Sequence, residues 1–161
     1  MQVSDLKHTN THLASILGID DPLDEIGIHL SSVQEPYPAT PRNATVFASS
    51  GVDGVHYVLL HLPERRVEDA PVIEVSPMDA DARHCVGDNL HEFLEIMCQR
   101  HEEFIHHTSP RSTPPGAEPH DALRVIAALR THLNLAPRPD HEPRCKALTA
   151  LHLPRMQLNP E

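Results

Sequence analysis

Aromatic side chains are scarce in this sequence, which has no tryptophan, two tyrosines and three phenylalanines among its 161 residues. The core must therefore be filled mainly by Leu, Ile, Val and Ala, with a few larger anchors. The anchors that we predict are Phe47, Tyr57, Phe93 and Phe104. The length fits a single domain over 1–161, since one domain typically holds about 100–200 residues.

Long apolar runs are also absent. No stretch approaches the roughly 18 consecutive apolar residues that a membrane span requires. The first residues, MQVSDLKHTNTHLASILG, have no basic segment leading into a long apolar run, unlike a secretory signal. The cysteines Cys85, Cys98 and Cys145 are odd in number and widely spaced, which is not the pattern of a secreted disulfide framework. We therefore predict a cytoplasmic protein that does not bind a membrane.

Basic residues are outnumbered, with 13 Lys and Arg against 23 Asp and Glu, and the net charge is −10 at pH 7. This balance disfavours nucleic acid, because phosphate-backbone binding depends on clustered Lys and Arg. It is compatible with a basic protein partner, since complementary potentials speed encounter. Ordinary solubility is the simpler explanation of the same charge.

Glycine is rare as well, and none of the six glycines forms a GxGxxG or P-loop pattern that would cradle phosphate. The step Gly87-Asp88-Asn89 precedes a predicted helix, whose free amides are able to hold an anion. Asp88 as the N-cap of that helix would occupy those amides first. We therefore predict no cofactor.

The clearest structural signal that is present is a β-hairpin. The runs 44–50 and 55–62 are rich in Val, Phe, Tyr and Leu, and Asp53-Gly54 between them suits a type I′ turn, in which both central residues have positive φ. The second run has apolar residues on both alternating faces, which is typical of a central strand covered on each side. Further strands are predicted at 71–77 and 83–87.

Helices surround these strands in the sequence. They are predicted at 10–18 (capped by Asn10 or Thr11), 88–105, 121–133 and 144–151, with a helical turn that opens at Asp21 and Pro22. Pro-rich stretches at 35–43 and about 108–120 predict loops, and the tail 153–161 is expected to be loose. The order of elements predicts an α+β fold, with an antiparallel or mixed sheet, a central hairpin and helices packed on it.

Two of these helices carry an apolar stripe. The buried positions predicted in 88–105 are Leu90, Phe93, Leu94, Met97, Phe104 and Ile105, with His101 inside the stripe. Those predicted in 121–133 are Leu123, Ile126, Ala127 and Leu133.

Metal binding is suggested by the number of histidines, which is 14. The candidate ligands around the second helix are His84, Cys85, His91, Glu95, Cys98 and His101. A helix brings His91 and Glu95 together at i, i+4, and such residues bind zinc. However, no HExxH, CxxC or finger spacing is present, so we predict no metal site and interpret the chain as simply His-rich.

Catalysis is suggested by Ser49, Ser50, Asp53 and His56, which are close in sequence. A Ser/His/Asp arrangement is recognised by geometry rather than order. Asp53 is nevertheless better explained as a turn residue beside Gly54, and there is no GxSxG elbow. Ser49 facing His56 would be an ordinary cross-strand pair. Cys85 is better explained as a buried small hydrophobe than as a thiolate. We predict no catalytic residue.

Residues 40–98 carry a recognisable pattern in three pieces, TPRNATVFASSGVDGVHYVLLHL, PVIEVSPMDA and CVGDNLHEFLEIMC. It resembles the SUKH superfamily of bacterial immunity-type proteins. The matching positions are Phe47, Ala48, Gly51, Asp53, Gly54, Val55, His56, Pro71, Val72, Pro77, Gly87, Asn89, Leu90, Glu92, Phe93 and Leu94. The pattern is structural in character, and we interpret Asp53, Gly54, His56, Gly87 and Asn89 as its structural motif positions. The resemblance implies an α+β fold and a cytoplasmic protein that neutralises a toxin, often a nuclease, by binding it.

Three functions follow from these observations. The first is a non-enzymatic protein-binding module, immunity-type or regulatory, whose partner is a basic protein and, by the resemblance, a toxin. The second is a small hydrolase or metal-dependent enzyme that uses His56 with Asp53, or the helix of His91. The third is an assembly subunit in which a helix face pairs with its own copy. We favour the first and expect a monomer or a weak homodimer.

Overall fold

Four helices and a four-stranded sheet are formed by the residues that the computed structural model describes, which are 1–30, 37–108 and 120–158. The helices are α1 (Val3–Leu17), α2 (Leu90–Thr108), α3 (Asp121–Leu133) and α4 (His141–His152). The strands are β1 (Ala44–Ser49), β2 (His56–Leu60), β3 (Val72–Val75) and β4 (Arg83–Gly87). Short 3-10 helices occupy Pro22–Ile26, Val67–Asp69 and Leu153–Arg155. The predicted α+β class is confirmed.

The predicted hairpin is present between β1 and β2. Ser49 lies opposite His56 in the antiparallel ladder, as expected. Asp53 and Gly54 have φ of 48° and 72°, and the Val55 N–H donates to the Val52 carbonyl at 2.9 Å. Positive φ at both central residues is what a type I′ turn requires.

The sheet is antiparallel in the order β1-β2-β3-β4, so that β2 lies between two neighbours. Every β2 residue is buried. Tyr57 and Leu59 belong to a core that also receives α1, α2 and α3, whereas Val58 and Leu60 belong to a second core with Leu148 of α4. The prediction of a central strand covered on both faces is confirmed.

α1 is longer than predicted and begins at Val3 rather than at Asn10. The Gln2 N–H donates to the Asp5 carboxylate at 2.7 Å and so caps the true start. Asn10 instead holds the next element, because its side-chain oxygen accepts the Leu23 N–H at 3.0 Å. The helix ends at Gly18, as predicted.

α2 is capped by Asn89 and not by Asp88. The Glu92 N–H donates to the Asn89 side-chain oxygen at 3.0 Å. Phe104 is wrongly predicted as a core anchor, since it is 65% exposed, although Leu90, Phe93 and Ile105 of the same stripe are buried.

α3 has the predicted bounds and buries more of its surface than predicted, with the predicted Leu123 and Leu133 partly buried against the core. Ala122, Val125 and Leu129 are buried together with the predicted Ile126, whereas Ala127 is exposed. The physical reason is that α3 packs against α1, α2 and the first 3-10 helix at once. Residues on several sides of the helix are therefore buried.

The C-terminal segment that we expected to be loose is held to the sheet as far as residue 157. Met156 is buried in the second core. The Asn43 side chain accepts the Gln157 N–H at 2.8 Å and donates to the Arg155 carbonyl at 3.1 Å. The Pro-rich break at 108–120 lies almost wholly outside the described residues. Within the described ranges, no helix is long and apolar enough to cross a membrane.

Candidate functional site

His56 is placed as a structural residue. It has no exposed surface, and its ring stacks on Tyr37 with centroids 5.6 Å apart. The Gly54 carbonyl lies 2.8 Å from Nδ1, which therefore carries a proton and donates. Nε2 is 2.9 Å from the Thr40 hydroxyl, which donates to it in the neutral ring. With both nitrogens engaged and no exposed surface, His56 is not available as a general base for an external substrate.

Gly87 and Asn89 form the junction between β4 and α2. A Cβ on Gly87 would lie 2.6 Å from the backbone nitrogen of Phe93, so the helix packs against the strand at a place where a side chain has no room. Asn89 supplies the cap of α2. Together with the turn residues Asp53 and Gly54, these positions build the fold.

The cysteine thiols are buried and neutral. Burial raises the pKa of Cys85 and of Cys98 to about 12 in each case. Burial likewise raises the pKa of the Cys145 thiol above its ordinary value. Because the thiolate is the nucleophile, Cys85 behaves as the small buried hydrophobe that the sequence predicts.

The candidate metal ligands are spread over several surroundings. His91 Nε2 lies 3.4 Å from Glu95 Oε1, as the i, i+4 spacing predicts. The Glu95 carboxylate, however, also accepts the Arg138 Nε–H at 2.7 Å and the Ala136 N–H at 2.9 Å. His101 packs instead against Gly27. In the part of the chain that the structure describes, no group of three or more His, Cys, Asp or Glu side chains is placed to hold a metal ion.

An ion-pair network that the sequence did not reveal surrounds the start of α2. Glu92 and Glu95 are each 5% exposed. Arg144 Nε donates to Glu92 at 2.8 Å, and Arg138 binds both glutamates. The two arginines lie more than 40 residues along the chain from the glutamates, so these contacts could not be predicted from local sequence spacing. We call these four residues the α2 network.

Asp88 extends the α2 network on its other side. It accepts from Arg65 at 2.7 Å and from His152 Nε2 at 3.0 Å. Burial alone would raise the pKa of the Asp88 carboxyl, but the hydrogen bonds from Arg65 and His152 outweigh it and hold the pKa below its ordinary value. Every member of this arrangement is occupied by another, which is typical of a structural tie.

A pocket of about 460 Å³ opens beside the hairpin turn, and we call it the hairpin pocket. Its lining residues are Asp24, Glu25, Gly27, His29, Ser50, Val52, Tyr57, His101, Phe104, Ile105, Thr108, His120 and Ala122. They come from the first 3-10 helix, the hairpin, β2, α2 and α3, so distant parts of the sequence meet here.

His29 joins the first 3-10 helix to the hairpin. Its backbone pairs with Ser49 through bonds of 2.8 and 3.1 Å. Its ring Nδ1 lies 2.9 Å from the Asp24 carboxylate. A Cβ on Gly51 would lie 2.6 Å from His29 Nε2, so the ring rests directly on that glycine. This contact fixes one wall of the hairpin pocket.

His101 also lines the hairpin pocket and is likewise packed on a glycine. Its ring lies 3.5 Å from the position of a Cβ on Gly27. The Nδ1–H donates to the Met97 carbonyl at 3.1 Å. Burial lowers the pKa of the His101 imidazole, so the ring is neutral at neutral pH. Burial also raises the pKa of the Tyr57 phenol, which stays protonated at the base of the pocket.

The hairpin pocket combines exposed apolar groups with negative charge. Val52 is 62% exposed and Phe104 is 65% exposed. Asp24 and Glu25 are its carboxylates, and its described lining residues include no Lys or Arg. The exposed Asp20, Asp21 and Asp53 flank it along the chain. Such a surface suits a ligand that presents an apolar stem with a positive charge.

Comparison with protein-family models gives no match, and neither characterised proteins nor solved structures show significant similarity to this chain.

Proposed function

We propose that this chain is a non-enzymatic protein-binding module, immunity-type or regulatory, that binds a basic protein through the hairpin pocket. The proposal rests on two features that occur in one concave surface. These are the exposed apolar side chains of Val52 and Phe104 and the carboxylates of Asp24 and Glu25. Single exposed apolar residues are normal on proteins. Two of them in one acidic pocket require more explanation.

The chemistry of the pocket selects a lysine or arginine side chain of the partner. The alkyl stem of such a residue packs on apolar surface while its charge stays at the rim. Phe104 offers a ring face for a cation, and Glu25 has no ion-pair partner among the described residues. The net charge of −10 adds long-range attraction toward a basic surface.

The resemblance of residues 40–98 to the SUKH superfamily supports the same proposal. The positions that match build the hairpin and the start of α2, and the hairpin in turn carries Ser50 and Val52 into the pocket. A cytoplasmic toxin with a basic surface is the partner that this resemblance favours. His56, in contrast, is buried and fully bonded, which gives no support to the hydrolase alternative.

The test compares four forms of the chain as bait for proteins of its host, including the product of the neighbouring gene. Glu25→Lys reverses one rim charge, and Phe104→Ala removes the exposed ring. Both side chains are exposed, so the fold should survive. We expect wild type to retain one basic protein stoichiometrically, and each variant to lose about tenfold or more in affinity.

The control is Asp69→Lys, which reverses an exposed carboxylate on the connection that leaves the opposite end of β2. It should retain the partner as wild type does. If the partner is a toxin, expression of wild type or of the control should restore growth and Glu25→Lys should not. A stoichiometric partner that both pocket variants retain fully would disprove the role of the pocket.

A further inference from the structure

A second and larger concavity lies at the opposite end of β2 and has the opposite charge. Its volume is about 610 Å³, within the range of about 300–1,000 Å³ that holds small ligands. We call it the arginine cleft, after Arg65, Arg66 and Arg155, which line it together with His61.

The charge of the arginine cleft contrasts with that of the whole chain. Three of the 13 basic residues line it, and no carboxylate belongs to its described lining, although acidic residues outnumber basic ones by 23 to 13. The rest of the lining is apolar or amide, with Val67 exposed by 58%. The cleft therefore offers positive charge beside an apolar surface.

The walls of the arginine cleft are held in place by hydrogen bonds on both sides. Asp88 binds Arg65 through two oxygens, at 2.7 and 3.2 Å. On the other side, Asn43 binds the backbone of Arg155 and Gln157, and the Arg42 N–H donates to the Gln157 carbonyl at 2.7 Å. The C-terminal segment is thus fixed where it forms the second wall.

The other two arginines are free to change partners at small cost. Arg155 pairs with Glu64, and Arg66 pairs with Glu68. The Arg155 and Glu64 side chains are 38% and 53% exposed, and that of Arg66 is 80% exposed. Ion pairs between exposed groups contribute little to stability. A multiply charged ligand would compete well for both guanidiniums.

We propose that the arginine cleft binds a small phosphomonoester whose organic part lies on Leu62, Val67 and Ala70. Each guanidinium has five N–H donors, so Arg66 and Arg155 alone exceed the roughly four acceptor sites of a carboxylate, while Arg65 stays bound to Asp88. A phosphomonoester presents three terminal oxygens and a charge of about −1.5 to −2. It therefore satisfies the donors better than a carboxylate does, and the site is independent of the hairpin pocket.

The experiment is a titration of the ¹⁵N-labelled chain with phenyl phosphate, followed by the backbone amide signals of residues 155–157 and of residues 61–67 other than Pro63. Benzoate carries the same ring on a carboxylate, and inorganic phosphate lacks the ring. We expect phenyl phosphate to bind at least about tenfold more tightly than either, because benzoate loses a charge-assisted contact and inorganic phosphate loses the burial of the ring on the apolar wall.

The variant Arg155→Gln should weaken phenyl phosphate about tenfold or more. Arg124→Gln is its control, because Arg124 is similarly exposed, at 39%, and pairs with a similarly exposed Asp121, at 52%, and neither residue lines the cleft. The control should bind as wild type does. Equal weakening by both variants, equal affinity for benzoate, or no saturable shift at residues 61–67 would overturn the proposal. Tighter binding of a single-stranded oligonucleotide would also overturn it, in favour of a polyanion surface.

Discussion

Two glycines with almost the same backbone conformation have different surroundings. Gly18 has φ of 69°, and an added Cβ would meet no atom within 4 Å. Gly54 has φ of 72°, and its Cβ would lie 2.8 Å from the Tyr37 hydroxyl oxygen. Tyr37 in turn stacks on His56. Comparison of Gly18 with Gly54 therefore separates the strain of a left-handed backbone from the steric crowding at the hairpin turn.

We predict that Gly18→Ala lowers the free energy of unfolding by about 1–2 kcal/mol, the cost of a left-handed non-glycine residue. Gly54→Ala should lose about 1 kcal/mol more, because the Tyr37 ring must leave His56 and stacked aromatic pairs contribute about 0.5–1.5 kcal/mol. Urea unfolding of both variants measures the difference. In a Tyr37→Ala background the difference should vanish; equal losses in the native background would contradict the crowding.

At the scale of elements, the α2 network ties α2 to the α3–α4 connection and to α4. Burial alone would raise the pKa of the Glu92 carboxyl, but hydrogen bonds from the Arg144 side chain and the Asp88 N–H outweigh it and hold the pKa below its ordinary value of 4.5. A carboxyl whose pKa is depressed by folding stabilises the fold above its unfolded pKa. That stabilisation is lost as the pH falls through the folded pKa.

We therefore expect Glu92→Gln to cost about 1–3 kcal/mol at neutral pH, since a charged hydrogen-bonded partner is lost. The gap between wild type and variant should close as the pH falls below about 4.5. Urea midpoints of wild type and Glu92→Gln, measured from neutral pH to below about 4.5, show whether the stability difference shrinks in acid. Glu142→Gln, at an exposed position of α4, should change stability by less than about 0.5 kcal/mol at any pH. A gap that widened in acid would contradict the role of Glu92.

Elements with strong local signals were predictable from the sequence. The hairpin and β4 have the predicted bounds within one or two residues, because Asp53-Gly54 and the β-branched runs act over short range. α1 was predicted short because its first turns, VSDLKHTN, are mostly polar and only Leu6 and Thr9 there are buried. The tie of Gln157 to Asn43 spans 114 residues and has no local signal.

The candidate site was less predictable than the fold. Phe104 has the right helical phase for the core, but it lies in the last turns of α2 and is exposed at the hairpin pocket. No local pattern links His29 to Gly51, and the two meet because Ser49 of β1 pairs with His29. The motif positions His56, Gly87 and Asn89 could be identified from the sequence pattern, whereas the hairpin pocket and the arginine cleft depend on tertiary contacts.

At the scale of the whole molecule, the net charge of −10 opposes self-association. Exposed apolar residues such as Ile16 and Leu151 are present and attract a second copy only at short range. The like net charge of two copies repels them at long range. The expected monomer or weak homodimer thus depends on ionic strength.

We predict a monomer at about 20 mM salt, where the Debye length exceeds about 20 Å, and equal or greater association at about 500 mM salt, where repulsion is screened. Sedimentation velocity at several protein concentrations measures this. A dimer that formed at low salt and dissociated at high salt would indicate complementary ion pairs between copies instead.

The burial of all three cysteines has a practical consequence for following a partner in solution. Their raised pKa values leave almost no thiolate for a maleimide to attack. A cysteine placed at the exposed position Asp20, shortly before the 3-10 helix that carries Asp24 and Glu25, would then be the preferred point of attachment for a fluorophore. The native cysteines therefore need not be removed before a label is attached near the hairpin pocket.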